Sequence, residues 1–161
     1  MGDTPGVVLL VEDSEHDVFF FRQCMKKAGV NFPLEVAVDG AAATDYLSGA
    51  APYADRARHP LPRLILLDLK LPKKSGFEVL EWLRADAQVR DVRVIILTSS
   101  AEKPDIRLAY DLGAVLYIAK PIGMDALRDL VKAIAAYWED LERGPQADLV
   151  AFAVPRPGSI R

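Results

Sequence analysis

The sequence predicts an α/β domain, a (βα)5 doubly wound five-stranded parallel sheet, on three observations. Five short apolar runs recur along the 161 residues. Several are continuous rather than alternating, the pattern of strands buried on both faces. Segments with helical spacing separate them. Strict alternation of strand and helix implies βαβ units, right-handed crossovers and helices on both faces of the sheet.

In chain order, "VVLLV" (7–11) reads as the first strand. Residues 14–28 form a helix with Val18, Phe21, Cys24, Met25 and Ala28 on one face. Its "VFFF" places three aromatics in a row. A helix packed on one face cannot bury all three, so at least one is expected at the surface. "LEVAV" (34–38) is the second strand and the Ala-rich residues 40–47 the second helix. Residues 48–63, with three prolines and several charges, make a long connection. "LILLD" (64–68) is the third strand, followed by a helix over 76–87 carrying Phe77, Leu80, Leu83 and Ala87. "VRVIILT" (92–98) is the fourth strand. The helix over 104–112 begins at Pro104, a good first-turn residue, and stops at Gly113, a C-cap. "VLYIA" (115–119) is the fifth strand. Residues 125–141 carry the stripe Leu127, Leu130, Val131, Ile134, Trp138 and Leu141. The chain thus divides into a lead-in (1–5), a domain (6–141) and a tail (142–161). The tail's "DLVAFAV" is an apolar patch bounded by prolines. It can lie on its own domain or reach a partner chain as a dimerisation arm.

Composition narrows the function. Lys and Arg total 20 against 23 Asp and Glu, a net charge of -3. That argues against a nucleic-acid surface, which needs a basic stripe. No apolar run approaches the roughly 18 residues of a membrane span. "MGDTPG" lacks the basic-then-apolar order of a signal peptide. Cys24 is the only cysteine, so an internal disulfide is impossible and a cytoplasmic location is expected. Its spacing with Phe20, Phe21 and Met25 assigns it to the core.

The polar residues that end the strands carry the chemistry. The first strand runs into Glu12 and Asp13, the third ends at Asp68, the fourth at Thr98, and the fifth precedes Lys120. In a parallel sheet these ends share one edge, where sites form near the reversal of strand order. Each piece has a plain reading. In "EDSEHD", Ser14 with Asp17 three residues on resembles a capping box. Asp68 serves equally as a turn residue before Pro72. Thr98 reads as a strand-end hydroxyl and Lys120 as solvated surface. Their convergence makes the case for a site. Three clustered carboxylates raise one another's pKa, and a hard divalent cation relieves the conflict. Oxygen ligands without His or Cys favour magnesium, manganese or calcium over zinc. An aspartate beside such a cation can act as a nucleophile toward phosphorus. A lysine and a hydroxyl suit the charge on a transferring phosphoryl group.

With "LLVEDS", "LILLDLKLP" followed by "SG", "VIILTSS" and "YIAKP" in place, the sequence resembles the receiver domain of two-component response regulators. The separations of 30 residues from Asp68 to Thr98 and 22 from Thr98 to Lys120 agree. The resemblance implies a flavodoxin-like receiver fold. It implies that Asp68 accepts a phosphoryl group from a sensor histidine kinase or a histidine phosphotransfer protein. Glu12, Asp13, Asp68 and the backbone carbonyl of Lys70 would hold Mg2+, with Mn2+ or Ca2+ as substitutes. Thr98 and Lys120 would each bond a phosphoryl oxygen. Tyr117 matches the aromatic switch position, and the Lys120–Pro121 bond is expected to be cis. Such a protein catalyses only its own phosphotransfer and dephosphorylation.

The sequence also departs from the family pattern. Lys70 stands where an uncharged residue is frequent, and its side chain is expected at the mouth of the site. Gly123 replaces the usual capping Asp or Asn. The 48–63 connection, "DLKLPKKSG" and "AYDLGAVLYIAKP" resemble, more narrowly, the single-domain regulators of bacterial phytochrome systems. Only 41 residues follow Lys120, about half of them in the last helix, so a stand-alone regulator is expected. It would signal through protein contacts, as a homodimer, without nucleic acid or membrane. Three alternatives stand beside it. A flavodoxin-like carrier would need amide donors where "VEDSEHD" has carboxylates. A dehalogenase-type aspartyl-phosphate phosphatase would need an acid at Lys70. A phosphorylation-independent scaffold on the same fold would tend to lose acid-pair or lysine residues that are all present here.

Overall fold

The structure, a computed structural model, describes residues 6–158. The lead-in (1–5) and the last residues of the tail (159–161) lie outside the described residues. In chain order the elements are β1 (Val7–Val11), α1 (Glu15–Ala28), β2 (Leu34–Ala37), α2 (Gly40–Ser48) and β3 (Pro62–Leu67). There follow α3 (Gly76–Ala85), β4 (Arg93–Thr98), α4 (Lys103–Asp111), β5 (Leu116–Ala119) and α5 (Met124–Glu139). The tail adds α6 (Ala147–Val150) and β6 (Ala153–Val154).

The strand order is β2-β1-β3-β4-β5-β6. The first five strands run parallel, as expected, and β6 pairs antiparallel with β5. The sequence pattern does not predict that sixth strand. The tail's apolar patch folds back onto its own domain. Leu149 is fully buried, and Phe152 and Ala153 pack against the core beneath α1 and α5.

The continuous apolar runs serve both faces of the sheet. Leu9, Ile65 and Ile96 face the layer of α2, α3 and α4. Leu10, Leu66 and Ile95 face the layer of α1 and α5. Side chains alternate across a strand, so a run with no polar interruption needs cover on both sides. Cys24 lies in the α1–α5 layer, fully buried, and burial pushes its thiol pKa up. Of the three adjacent phenylalanines, Phe21 is buried while Phe19 and Phe20 are exposed. The long connection before β3 is tied to α2. Arg56 donates to the carbonyls of Tyr46 and Leu47, and Tyr46 donates to Pro60 O at 2.9 Å.

The Lys120–Pro121 bond is not cis. Among the described residues the one cis bond is Ala51–Pro52. A trans X–Pro bond is the intrinsic preference, by about 0.5–1 kcal/mol. With it, Lys120 N–H still donates to Thr98 O at 2.8 Å and the side chain still reaches the strand ends.

Candidate functional site

Strand order reverses between β1 and β3, so the carboxyl ends of β1, β3, β4 and β5 border one crevice. Backbone hydrogen bonds carry the ladders past the strands. Glu12 N–H donates to Ala37 O at 2.9 Å and Asp68 N–H to Val11 O at 3.2 Å. The acidic pair and Asp68 are thereby held level with each other. Helix α3 presses on the same loop. A Cβ at Gly76 would lie 2.2 Å from Asp68 O, so only glycine permits this approach.

Asp68 is buried and both its oxygens are engaged. Oδ1 accepts from Thr98 Oγ1 at 2.8 Å and from Lys70 N–H at 3.2 Å. Oδ2 accepts from Lys120 Nζ at 2.9 Å. Glu12, Asp13 and Asp68 each present an oxygen, all within 4.8 Å of one another. Glu12 is buried and Asp13 exposed, which leaves the cluster open to solvent on one side. Burial pushes the Glu12 pKa up, against the opposing pull of Lys120 and Ser14 N–H. For Lys120, burial by itself would lower the pKa. Contacts with Asp17, Glu12 and Asp68 outweigh it and hold the ammonium above the ordinary lysine range.

Tyr117 is fully buried on the α2–α3–α4 face of the sheet. Its hydroxyl donates to Ser100 O at 2.8 Å, and burial raises its pKa. Ser100 in turn donates through Oγ to Asp105 at 2.7 Å, at the start of α4. A short chain of contacts therefore runs from Asp68 through Thr98 and the Ser100 loop to Tyr117 and α4. The Lys70 side chain is exposed, in the loop after β3 and two residues past Asp68.

Glu12, Asp13, Asp68, Thr98 and Lys120 thus come together, with Lys70 and Tyr117 beside them. Sequence reasoning misses two participants. Ser100 carries no signal beyond its place after Thr98. Asp17 reads as half of a capping box. Ser14 Oγ does accept from Asp17 N–H at 3.2 Å, but the Asp17 carboxylate bonds Lys120 at 2.8 Å instead of returning to Ser14. Glu12 takes its place and accepts from Ser14 N–H at 3.0 Å.

Residues 8–132 match the response regulator receiver domain family. The chain is 34% identical over 143 residues to the probable methanogenesis regulatory protein FilR2 of Methanothrix harundinacea, spanning 89% of this chain and 90% of that one. It is 34% identical over 143 residues to response regulator Rcp1 of Synechocystis sp., spanning 89% and 95%. The crystal structure of the Mn(2+)-bound form of Rcp1 superposes with a TM-score of 0.75 at 33% identity, over 88% of this chain and all (100%) of that one. The crystal structure of the phosphorylated cyanobacterial phytochrome response regulator RcpA gives 0.76 at 33% identity, over 84% and 95%.

Proposed function

The chain belongs to the response regulator receiver domain family, and on that premise we propose that Asp68 accepts a phosphoryl group from the phosphohistidine of a sensor kinase or phosphotransfer protein. One observation carries the reading. Asp68 lies between a hydroxyl donor and an ammonium, beside two further carboxylates, at the open edge of a rigid sheet. In the transfer, an Asp68 oxygen forms the new P–O bond as the P–N bond of the donor breaks. The imidazole leaves with the electron pair. Thr98 and Lys120 supply the hydroxyl and the cation that the phosphoryl oxygens need.

The oxygen-only donor set fits a hard divalent cation. Glu12, Asp13, Asp68 and the Lys70 carbonyl would hold Mg2+, and the Mn(2+)-bound form of Rcp1 supports a divalent ion at such a site. When bound, the ion supplies charge neutralisation for the phosphoryl oxygens. Tyr117 is the switch: its buried ring and its bond to Ser100 tie the position of Thr98 to the β4–α4 loop. Lys70, exposed beside the site, tunes the phosphoryl lifetime, so that a Lys70→Asn variant would dephosphorylate at a different rate.

Similarity to Rcp1 and RcpA supports a phytochrome-type histidine kinase as the donor. No helix among the described residues is long and apolar enough to cross a membrane. A cytoplasmic location belongs to the reading, supported by the lone buried thiol of Cys24. So does a homodimer, through the exposed rings of Phe19 and Phe20. Incubation with acetyl phosphate and Mg2+, followed by intact mass, tests the core of the proposal. The wild type should gain one phosphoryl group and Asp68→Asn none. An unchanged wild-type mass would favour a phosphorylation-independent scaffold. A phosphotransfer profile against histidine kinases then identifies the donor.

A further inference from the structure

We propose that Asp17 is a positioning residue for Lys120, a tether that keeps the ammonium at the phosphoacceptor while its other partners change. The inference rests on the phosphoacceptor reading above. Lys120 Nζ contacts Glu12 Oε1, Asp17 Oδ2 at 2.8 Å and Asp68 Oδ2 at 2.9 Å. An ammonium has three donors and no acceptor, so this set is complete. Two of the three partners belong to the carboxylate cluster that would face a cation, and Asp17 stands outside it.

The partners also differ in how they are held. Glu12 and Asp68 are buried, with side chains 4% and 6% exposed, whereas Asp17 is 46% exposed. Asp17 therefore makes its contact with little loss of hydration. It sits in the first turn of α1, which Phe21, Cys24 and Met25 fix against the core. A flexible lysine stem at the end of β5 is thus anchored to a rigid helix 103 residues earlier in the chain.

This anchor matters because the chemistry changes the other contacts. Phosphoryl transfer forms a P–O bond to Asp68, breaks the donor's bond to phosphorus, and sends the electron pair away with the leaving group. Lys120 makes no bond to phosphorus and keeps its proton. Its N–H passes from an Asp68 oxygen to a phosphoryl oxygen. Of the three acids, Asp17 alone belongs neither to the reacting bond nor to the carboxylate cluster that would face a cation. Asp17 also competes for the ammonium's charge. The tether dominates because one of three donors suffices for the phosphoryl oxygen, while a released lysine spreads over many rotamers.

The test uses the full chain with Asp17→Ala and Asp17→Asn. Phosphoryl uptake from acetyl phosphate is followed by intact mass across a Mg2+ titration. The NMR relaxation of Lys120 Cε is measured without a phosphodonor. Asp17→Ala should lower the saturating rate about tenfold, the loss of one charge-assisted hydrogen bond. The Mg2+ half-saturation should stay unchanged, and Lys120 Cε should become mobile. Asp17→Asn, an acceptor without charge, should recover part of the rate, and it carries the test if the alanine variant does not fold. An equal or faster saturating rate overturns the proposal, as does a Lys120 Cε as rigid as in the wild type. If the wild type gains no phosphate, the functional reading falls, and the relaxation measurement alone decides whether Asp17 holds the lysine.

Discussion

The Thr98 hydroxyl donates to Asp68 Oδ1 at 2.8 Å across the ends of two neighbouring strands, β4 and β3. This bond points a preorganised donor at the place where phosphoryl charge would develop. A Thr98→Val variant keeps the branched shape and removes the donor. Phosphoryl uptake from acetyl phosphate should fall by about a hundredfold, the usual consequence of losing one such donor. Stability should change by only ~1 kcal/mol, since Asp68 retains Lys120 and the Lys70 amide. A mass-spectrometric time course beside a melting curve checks both. Undiminished uptake would show that Thr98 does not assist the reaction.

Gly76 is held tightly against the phosphoacceptor loop. Its N–H donates to Leu69 O at 3.0 Å, and an added Cβ would meet Asp68 O at 2.2 Å and Leu69 Cα at 2.7 Å. These obstacles are backbone, so they cannot swing aside. Gly76→Ala should destabilise the fold by about 1–3 kcal/mol through overpacking. It should also slow phosphoryl uptake by displacing Asp68. A denaturant midpoint equal to the wild type's would contradict the contact.

Tyr46 gives an alkaline signature away from the site. Burial pushes its pKa up to about 12, with Glu35 adding to the effect and Arg56 opposing it. In the unfolded chain a tyrosine titrates near ~10. The unfolded state therefore loses this proton before the folded one does, and stability falls as pH rises through that window. Below pH ~10 the contribution is fully present. Tyr46→Phe should flatten the decline without abolishing it, because burial also raises the pKa of Tyr110, Tyr117 and Tyr137. At neutral pH the variant should lose ~1 kcal/mol with the bond to Pro60 O. Urea unfolding of both proteins across pH 8–11 would measure this, and parallel curves would refute it.

Much of the fold and the site is legible in the residues alone. Leu9 and Leu10 stand in a run with no polar break, and such a run is stable only between two apolar layers. Asp68, Thr98 and Lys120 stand out because each closes or follows an apolar strand, and a parallel sheet carries such ends to one edge. Asp17 is not legible in its real role. A local capping pattern already accounts for it, and no spacing rule links it to a lysine 103 residues away. Strand β6 is hidden for a similar reason. Two residues have no periodicity of their own, and Ala153 and Val154 become a strand only by pairing with Ile118 and Tyr117. The cis Lys120–Pro121 isomer is expected from resemblance alone, and tertiary surroundings decide it.

The tail provides the last prediction. Leu149 is fully buried in the α1–α5 layer, and β6 covers the edge of β5. Tyr110 of α4 clasps the arrangement: its hydroxyl accepts from Tyr117 N–H at 3.1 Å and donates to Val154 O. Arg156 pairs with Asp111 at 2.9 Å farther along. Leu149→Ala should cost about 2–5 kcal/mol, as for other fully buried leucines. A chain truncated after Gly144 loses that contact and bares an edge strand, which invites pairing with another chain. Light scattering should therefore show stronger self-association of the truncated chain than of the full one. A dimerisation arm would give the opposite result, because removing it would leave a monomer. Equal association in both chains would mean that the tail serves stability alone, and the denaturant midpoint of the truncated chain would then measure its whole contribution, with Leu149→Ala giving the share of that one side chain.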